Sequence, residues 1–336
     1  MTAERQETLA GITPDLIVQT AMGFMASKHL FVATELGLFQ QLASGPATLD
    51  DVAQRIGAPR RTIRIAADAM VALGFLERQG DHYQNSPVAA AFLSGQGPAD
   101  LRPLLRFWNR LSYPTWMGLE AAIRSGEAAN RQGGEFSEED QRIFSEGVEA
   151  LTAGPAAALA ASYDFARHQR IIDLGGGTGS FLLTILRRHT ALQGTLFELQ
   201  GAAAVARQRL GREPEGSRVT VVEGNFLTDP IPAGHDVMLI ANVVHLFFPE
   251  QNRQLFQRAR EAAGEGARLL IVDFVTDPTH TIPMAAALVA GEFLVIAGHG
   301  DVYSEEELRG WLQETGWRPL ERTPLGGQSL LTAEAS

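Results

Sequence analysis

Residues 170–189 read RIIDLGGGTGSFLLTILRRH. RIIDL is a short apolar strand, GGGTG is a turn, and SFLLTILRRH is a helix. The same alternation continues to the end of the chain. GTLFEL is a strand and GAAAVARQRL a helix. RVTVVEGNF is a strand, and HDVMLIANVVH is a strand that runs out into a loop. PEQNRQLFQRAREAAG is a helix, ARLLIVDFV a strand and SEEELRGWLQETGW a helix. The tail turns at Gly326-Gly327 as a final hairpin would. The strands are continuous apolar runs, as strands covered on both faces are. Strand and helix in alternation predict a Rossmann-like, doubly wound, mostly parallel sheet.

In such a sheet, ligands bind at the carboxyl ends of the strands, near the point where strand order reverses. Four strand exits carry chemistry. At the first, Asp173, Gly175, Gly177 and Gly179 form D-x-G-x-G-x-G. Glycine lets the backbone adopt positive φ and approach a ligand closely. A dinucleotide turn normally spaces its third glycine one residue later. The tighter spacing, with an acid ahead of the first glycine, suits an adenosine ligand without a pyrophosphate. At the second exit stands Glu198, about twenty residues past the glycines, where a carboxylate accepts hydrogen bonds from ribose hydroxyls. At the third, Asn225 can address an adenine edge and Phe226 can cover its face. A turn asparagine beside a core phenylalanine is the structural alternative. At the fourth lies IANVVHLFFPE, residues 240–250, with His245 inside an apolar stretch. A core histidine has no reason to sit at the rim where the glycines and Glu198 emerge. Asn242, three residues earlier, is grouped with the cofactor-binding residues.

The region upstream is different. Apolar residues recur at helical spacing from Pro14 to about Leu42. A second helix begins at Thr48, whose partner three residues on is Asp51, and ends at Gly57. RRTIRIAADAMVALG is a third helix, and FLERQGDHYQNSP turns at Gly80-Asp81 as a hairpin. Helices followed by a hairpin make a winged helix. Arg60, Arg61 and Arg64 invite a DNA-binding reading; a packing or dimerisation module is the alternative. Residues 88–165 are mostly helical, with Phe107, Trp108, Tyr113 and Trp116 as either core or the lining of a planar pocket. Three regions are therefore expected: a winged-helix domain over 1–100, a helical linker contributing to a substrate pocket over 101–165, and a catalytic domain over 166–336.

The composition fits a globular enzyme. Hydrophobic residues make up 45% and charged residues 20% of 336. A formal net charge of −11 argues against nucleic acid as a partner, which needs a basic face. No cysteine is present, so no thiolate metal site or disulfide framework exists. The N-terminus carries acids and lacks the apolar core of a signal peptide. No apolar run reaches the eighteen or so residues of a membrane span. A cytoplasmic protein with no membrane partner is expected.

With these motifs in place, the chain resembles the class I S-adenosylmethionine-dependent O-methyltransferases of the plant caffeic acid and bacterial small-molecule type. The resemblance covers nearly the whole chain. LFVATELGLFQQLASGPATLDDVAQRIGAPRRTIRIAADAMVALGFLERQGDHYQNSP resembles the family's dimerisation domain, IIDLGGGTGSF its cofactor loop, and NVVHLFFPEQNRQLFQR its catalytic segment. It implies S-adenosylmethionine as cofactor and a homodimer. Gly175 and Gly177 would lie against the methionine and ribose, Glu198 would take the ribose hydroxyls, and Asn225 and Phe226 would hold the adenine. His245 would be the general base, and Asp273 the acid that positions it. Phe144 and Phe293 would line the acceptor pocket. The expected reaction is methyl transfer to a hydroxyl of an aromatic or polycyclic small molecule of secondary metabolism.

Two departures stand out. Leu246 and Phe247 follow His245 where the family has an acid and then tryptophan. A second family carboxylate falls on Val302, with Asp301 beside it. His299 is a pocket-wall candidate, and facing His245 it would allow a metal that polarises a 2-oxo acid, hence a C-methyltransferase. A winged-helix regulator on DNA and a non-methylating relative complete the alternatives.

Overall fold

The computed structural model describes residues 13–129 and 137–336. The chain divides into two compact units. One comprises Met1–Arg110 with Gln141–Ala150, and the other Leu111–Asp140 with Leu151–Ser336. The helical segment expected as a linker is thus shared between them.

In the first unit, helix α1 runs Asp15–Glu35. The apolar pattern continues to Leu42, but Gly37 takes a left-handed φ of 73° and ends the helix. A short α2 follows over Leu38–Gln41, then strand β1 over Ala47–Thr48 and helix α3 over Leu49–Ile56. The Thr48 hydroxyl accepts from the Asp51 amide at 3.2 Å, capping α3 as its spacing predicts. Helix α4 spans Arg60–Ala72, and the hairpin strands are β2, Leu76–Gln79, and β3, His82–Asn85. The small sheet has the order β1-β3-β2 and is antiparallel. Leu38, Phe39, Val52, Ile63, Met70 and Tyr83 are buried at its centre. The winged-helix arrangement is therefore present. Its tempting basic face is partly neutralised, since Arg60 pairs with Asp50 at 2.7 Å and Arg64 with Asp68 at 2.8 Å.

Helix α1 corrects one sequence expectation. Among the described residues it is long and apolar enough, by length and composition, to cross a membrane, with a mean hydropathy of 1.3. Its apolar residues are interrupted by Thr20, Ser27, Lys28 and His29, so no unbroken run announces it. Leu16, Ile17, Val18, Met22, Phe24 and Met25 are exposed on the single chain. Further along lie α5, Pro87–Phe92, and α6, Arg102–Phe107, followed by a π-helical turn over Trp108–Ser112. Phe107 meets Phe144 edge-on at 5.6 Å, so both aromatics belong to the packing of this unit.

The second unit holds α7, Tyr113–Trp116, α8, Leu119–Ser125, and most of α9, Glu138–Ser162. Then come β4, Arg170–Leu174; α10, Ser180–Arg188; β5, Gln193–Glu198; α11, Gln200–Leu210; and β6, Val219–Glu223. The second half is β7, Val237–Ala241; α12, Pro249–Ala262; β8, Arg268–Asp273; α13, Met284–Ala297; α14, Glu305–Glu314; β9, Trp317–Leu325; and β10, Gln328–Ala335. The sheet order is β6-β5-β4-β7-β8-β10-β9. β6 through β8 are parallel, and the final hairpin adds antiparallel. Order reverses beside β4, which puts a binding crevice at its carboxyl end.

Side-chain alternation explains why the sheet is covered on both faces. Ile172, Met238, Ile240, Leu269, Ile271 and Leu331 point into one core with Phe256, Leu308, Trp311 and Trp317. Ile171, Val237, Leu239, Leu270, Val272 and Leu330 point into the other with Leu159, Phe181, Leu182 and Leu186. All five residues of β7 are buried. Each such aliphatic side chain contributes on the order of 1.5–3 kcal/mol relative to exposure, so the strand exits rest on a rigid support.

Candidate active site

The glycine turn leaves β4 at Leu174. Gly175, Gly177 and Gly179 have φ of 75°, 57° and 82°, which explains the residue type at each. Gly175 is also constrained by space, since a Cβ there would lie 3.0 Å from the Phe226 ring and 3.1 Å from Val243. Gly176, which the motif reading passed over, is the tightest. A Cβ at Gly176 would come within 2.2 Å of a carboxylate oxygen of Asp173.

Asp173 is fully buried, and neither of its oxygens has a partner among the described residues. Desolvation, with the Glu198 charge second, pushes its carboxyl up to about 8. Glu198 ends β5 with 8% of its surface exposed. Its two oxygens accept from the Gly177 amide at 2.9 Å and the Leu199 amide at 2.7 Å. Each oxygen keeps a second lone-pair site for a hydroxyl. A glycine cradle, an orphaned buried acid and a rim carboxylate together fit a nucleoside that carries an amino acid part.

Asn225 and Phe226 follow β6. The Asn225 side-chain oxygen accepts from the Leu227 amide at 2.9 Å, which is the turn role, so its amide nitrogen is the group left to address a base. Phe226 packs edge-on to Phe247 at 5.7 Å and lies against Gly175. Asn242 leaves β7 with a φ of 58°, a conformation that strains a non-glycine residue. Its side-chain oxygen accepts from the Gln328 amide, while its own Nδ2 is buried without a partner.

His245 sits in a 3-10 turn, Val244–Leu246, just past β7. Its Nδ1 is 2.6 Å from an oxygen of Asp273, which ends the adjacent strand β8. Asp273 also accepts from the His245 amide at 3.3 Å and the Phe274 amide at 2.8 Å. An ionised carboxylate can only accept, so Nδ1 is the donor in this pair and Nε2 is the ring nitrogen left for another partner. Phe293 stacks on the imidazole at 4.0 Å between ring centres, tilted by 16°. The parallel register brings this about: β7 and β8 pair from Val237↔Arg268 to Ala241↔Val272, so the last residue of β8 lies beside the turn that leaves β7.

Residues that the sequence reading did not single out hold the turn. Asn252, fully buried on α12, donates to the carbonyls of Val244 at 3.0 Å and Phe247 at 3.2 Å. The Tyr303 hydroxyl donates to the Phe247 carbonyl at 2.6 Å. A Cβ on Gly300 would lie 2.0 Å from the His245 carbonyl oxygen. A polar residue on the apolar side of α12 was the one signal in the sequence that pointed to Asn252.

Other expected residues fall elsewhere. His299 is exposed, and its Nδ1 bonds the Leu246 carbonyl at 2.8 Å, so it braces the turn from behind. Among the described residues no group of three His, Asp or Glu side chains is arranged to hold a metal. Val302 is a buried apolar residue, and Asp301 accepts from the Val302 amide, so neither supplies a second carboxylate to His245. Phe144 lies in the first unit and Phe293 in the second.

Comparison with known proteins agrees with this geometry. Residues 125–318 match the O-methyltransferase domain family, and residues 18–95 match the O-methyltransferase dimerisation domain. The chain is similar to a 3-hydroxy-5-methyl-1-naphthoate 3-O-methyltransferase of Streptomyces sahachiroi, at 32% identity over 90% of this chain and 89% of that protein. It is as similar, at 32% identity over 90% of each chain, to the N,N-dimethyltransferase OxyT of Streptomyces rimosus. The crystal structure of human N-acetylserotonin methyltransferase in complex with S-adenosylmethionine superposes with a TM-score of 0.85. It covers 96% of this chain and 97% of that one at 23% identity, a likeness of fold. Glycine turn, rim acid, histidine turn and both matched domains lead to one conclusion: the chain belongs to the S-adenosylmethionine-dependent O-methyltransferase family.

Proposed function

We propose that the protein transfers a methyl group to a hydroxyl of an aromatic or polycyclic small molecule of secondary metabolism, with His245 as general base. The observation that carries this reading is the 2.6 Å contact between His245 Nδ1 and Asp273, which leaves Nε2 as the accepting atom. S-adenosylmethionine supplies the methyl carbon on an activated sulfonium. The chain's part is to align acceptor and donor, which lowers the barrier by removing rotational and translational freedom, and to take the hydroxyl proton. Histidine suits that step because its ordinary pKa lies near neutral pH. Asp273 is a positioning residue that fixes the tautomer and stabilises the imidazolium. Phe293 blocks one face of the ring from water and offers an aromatic wall.

For the cofactor, Glu198 would take the ribose hydroxyls and Asn225 and Phe226 the base, with Asp173, Gly175, Gly177 and Asn242 around the amino acid part. The domain division proposed is 1–100 for dimerisation, 101–165 as a linker, and 166–336 for catalysis. The exposed apolar residues of α1 supply a surface that a second copy of the chain would cover in a homodimer.

The test pairs two measurements on His245→Ala. Calorimetric titration with S-adenosylhomocysteine reports the cofactor site, and labelled methyl transfer to a panel of phenols and naphthols reports turnover. Turnover should fall about 10²–10⁴-fold, the usual contribution of a general base, while product affinity holds. Retained turnover would remove His245 from the chemistry.

A further inference from the structure

Helix α13 points two neighbouring side chains at two different partners. Phe293 stacks on His245. Glu292 reaches toward α7, where one oxygen, Oε2, accepts from the Ser112 hydroxyl at 2.8 Å and from the indole N–H of Trp116. Ser112 is the last residue of the π-helical turn, a distortion found often at functional sites. Trp116 is fixed by shape as well, because a Cβ on Gly291 would come within 2.7 Å of its ring. Glu292 is therefore held in one pose by neutral donors, and among the described residues no Lys, Arg or His is paired with it.

The other oxygen, Oε1, is buried and has no partner among the described residues. An ionised carboxylate is acceptor-only, and buried acceptors in folded proteins are almost always satisfied. No described residue supplies the donor that Oε1 lacks. The same turn of α13 carries Phe293, the next residue, whose ring stacks on His245.

We propose that Glu292 is a specificity-determining residue for the acceptor. Its Oε1 takes a hydrogen bond from a second hydroxyl or N–H of the molecule whose first hydroxyl is methylated. The substrate class is then an aromatic compound with two donors, a diol or hydroxy-amine. This rests on the reading of the site as a methyl transferase for aromatic hydroxyls.

The test uses 1,3-dihydroxynaphthalene and its mono-methyl ether, titrated into the S-adenosylhomocysteine complex of the full chain and followed by tryptophan fluorescence. The wild type should bind the diol at least tenfold more tightly. Glu292→Gln keeps the size and an oxygen for Ser112 and Trp116, but puts an amide donor where Oε1 lies. It should melt as the wild type does and lose or reverse the preference.

Equal affinity of the wild type for both probes, or no binding of either, overturns the proposal. So does an unchanged preference in the variant, or a lower melting temperature with parallel loss for both probes, which would mark Glu292 as packing only. Methyl transfer is measured on the same samples. A diol bound with the expected preference but never methylated would count against the methyl-transfer reading and leave the role of Glu292 standing.

Discussion

Two turns frame the candidate site, and they are built differently. The glycine turn after β4 is held by its own backbone. Three left-handed glycines within five residues give it its shape, and Glu198 on the neighbouring strand accepts from one of its amides. The histidine turn after β7 contains no glycine. Its shape comes from a distance: Asp273 on β8, Asn252 on α12, His299 and Tyr303 beyond α13, and Phe293 on α13 itself. A turn of the first kind is sensitive to what replaces its residues. A turn of the second kind is sensitive to what surrounds it.

The comparison breaks most sharply at Asp273. Asp273→Asn keeps the volume but loses the carboxylate that lies 2.6 Å from His245 Nδ1. Turnover should fall by about 10²-fold or more, within the range of general-base catalysis. Affinity for S-adenosylhomocysteine, measured by calorimetry, should not move, because the glycine turn does not depend on this residue. Weakened product binding would show that the two turns are one unit.

Gly175→Ala probes the other side. A left-handed conformation costs an L-residue about 1–2 kcal/mol, and the methyl must also find room between Phe226 and Val243. Product affinity should drop roughly 5–30-fold, with turnover at saturating cofactor nearly kept. A loss confined to turnover would reverse the assignment of roles.

A pH series sharpens the picture of Asp173. Burial raises its carboxyl to about 8 in the folded chain, against 3.8 as the ordinary value. Between these values the folded state holds a proton that the unfolded state releases. Stability should therefore fall as pH rises from about 4 to about 8 and level off above. Thermal unfolding of wild type and Asp173→Asn across that range gives the contribution as a difference in slope. Parallel curves would mean that the carboxyl is already ionised when buried.

Much of this was legible beforehand, for a local reason. The strand–glycine–helix pattern, Glu198 one strand later and the apolar strands of the sheet are all short-range regularities. The cap at Thr48 was also read correctly, because it is a contact three residues long. Asp273 was reached only through family resemblance; nothing around LLIVDFV announces a partner 28 residues back. His299 looked like a pocket histidine, yet it braces the Leu246 carbonyl, since ring direction depends on packing that spacing does not encode. Helix α1 was missed as an apolar helix of membrane-spanning length because polar residues interrupt it. Glu292 gave no signal at all. One acid in an apolar helix reads as a solvated side chain until Ser112 and Trp116, about 180 residues away, are seen to clamp it.

By itself, then, the sequence determined the strand and helix order, the backbone shape of the cofactor turn and the family. These follow from periodicity and from the freedom of glycine, which act within a few residues. Only the tertiary structure decided which ring nitrogen of His245 faces Asp273, what braces its turn, and which oxygen of Glu292 is left without a donor among the described residues. Those are settled by side chains from separate elements meeting at distances of about 3 Å, and a contact of that kind exists only once the sheet and its helices have packed.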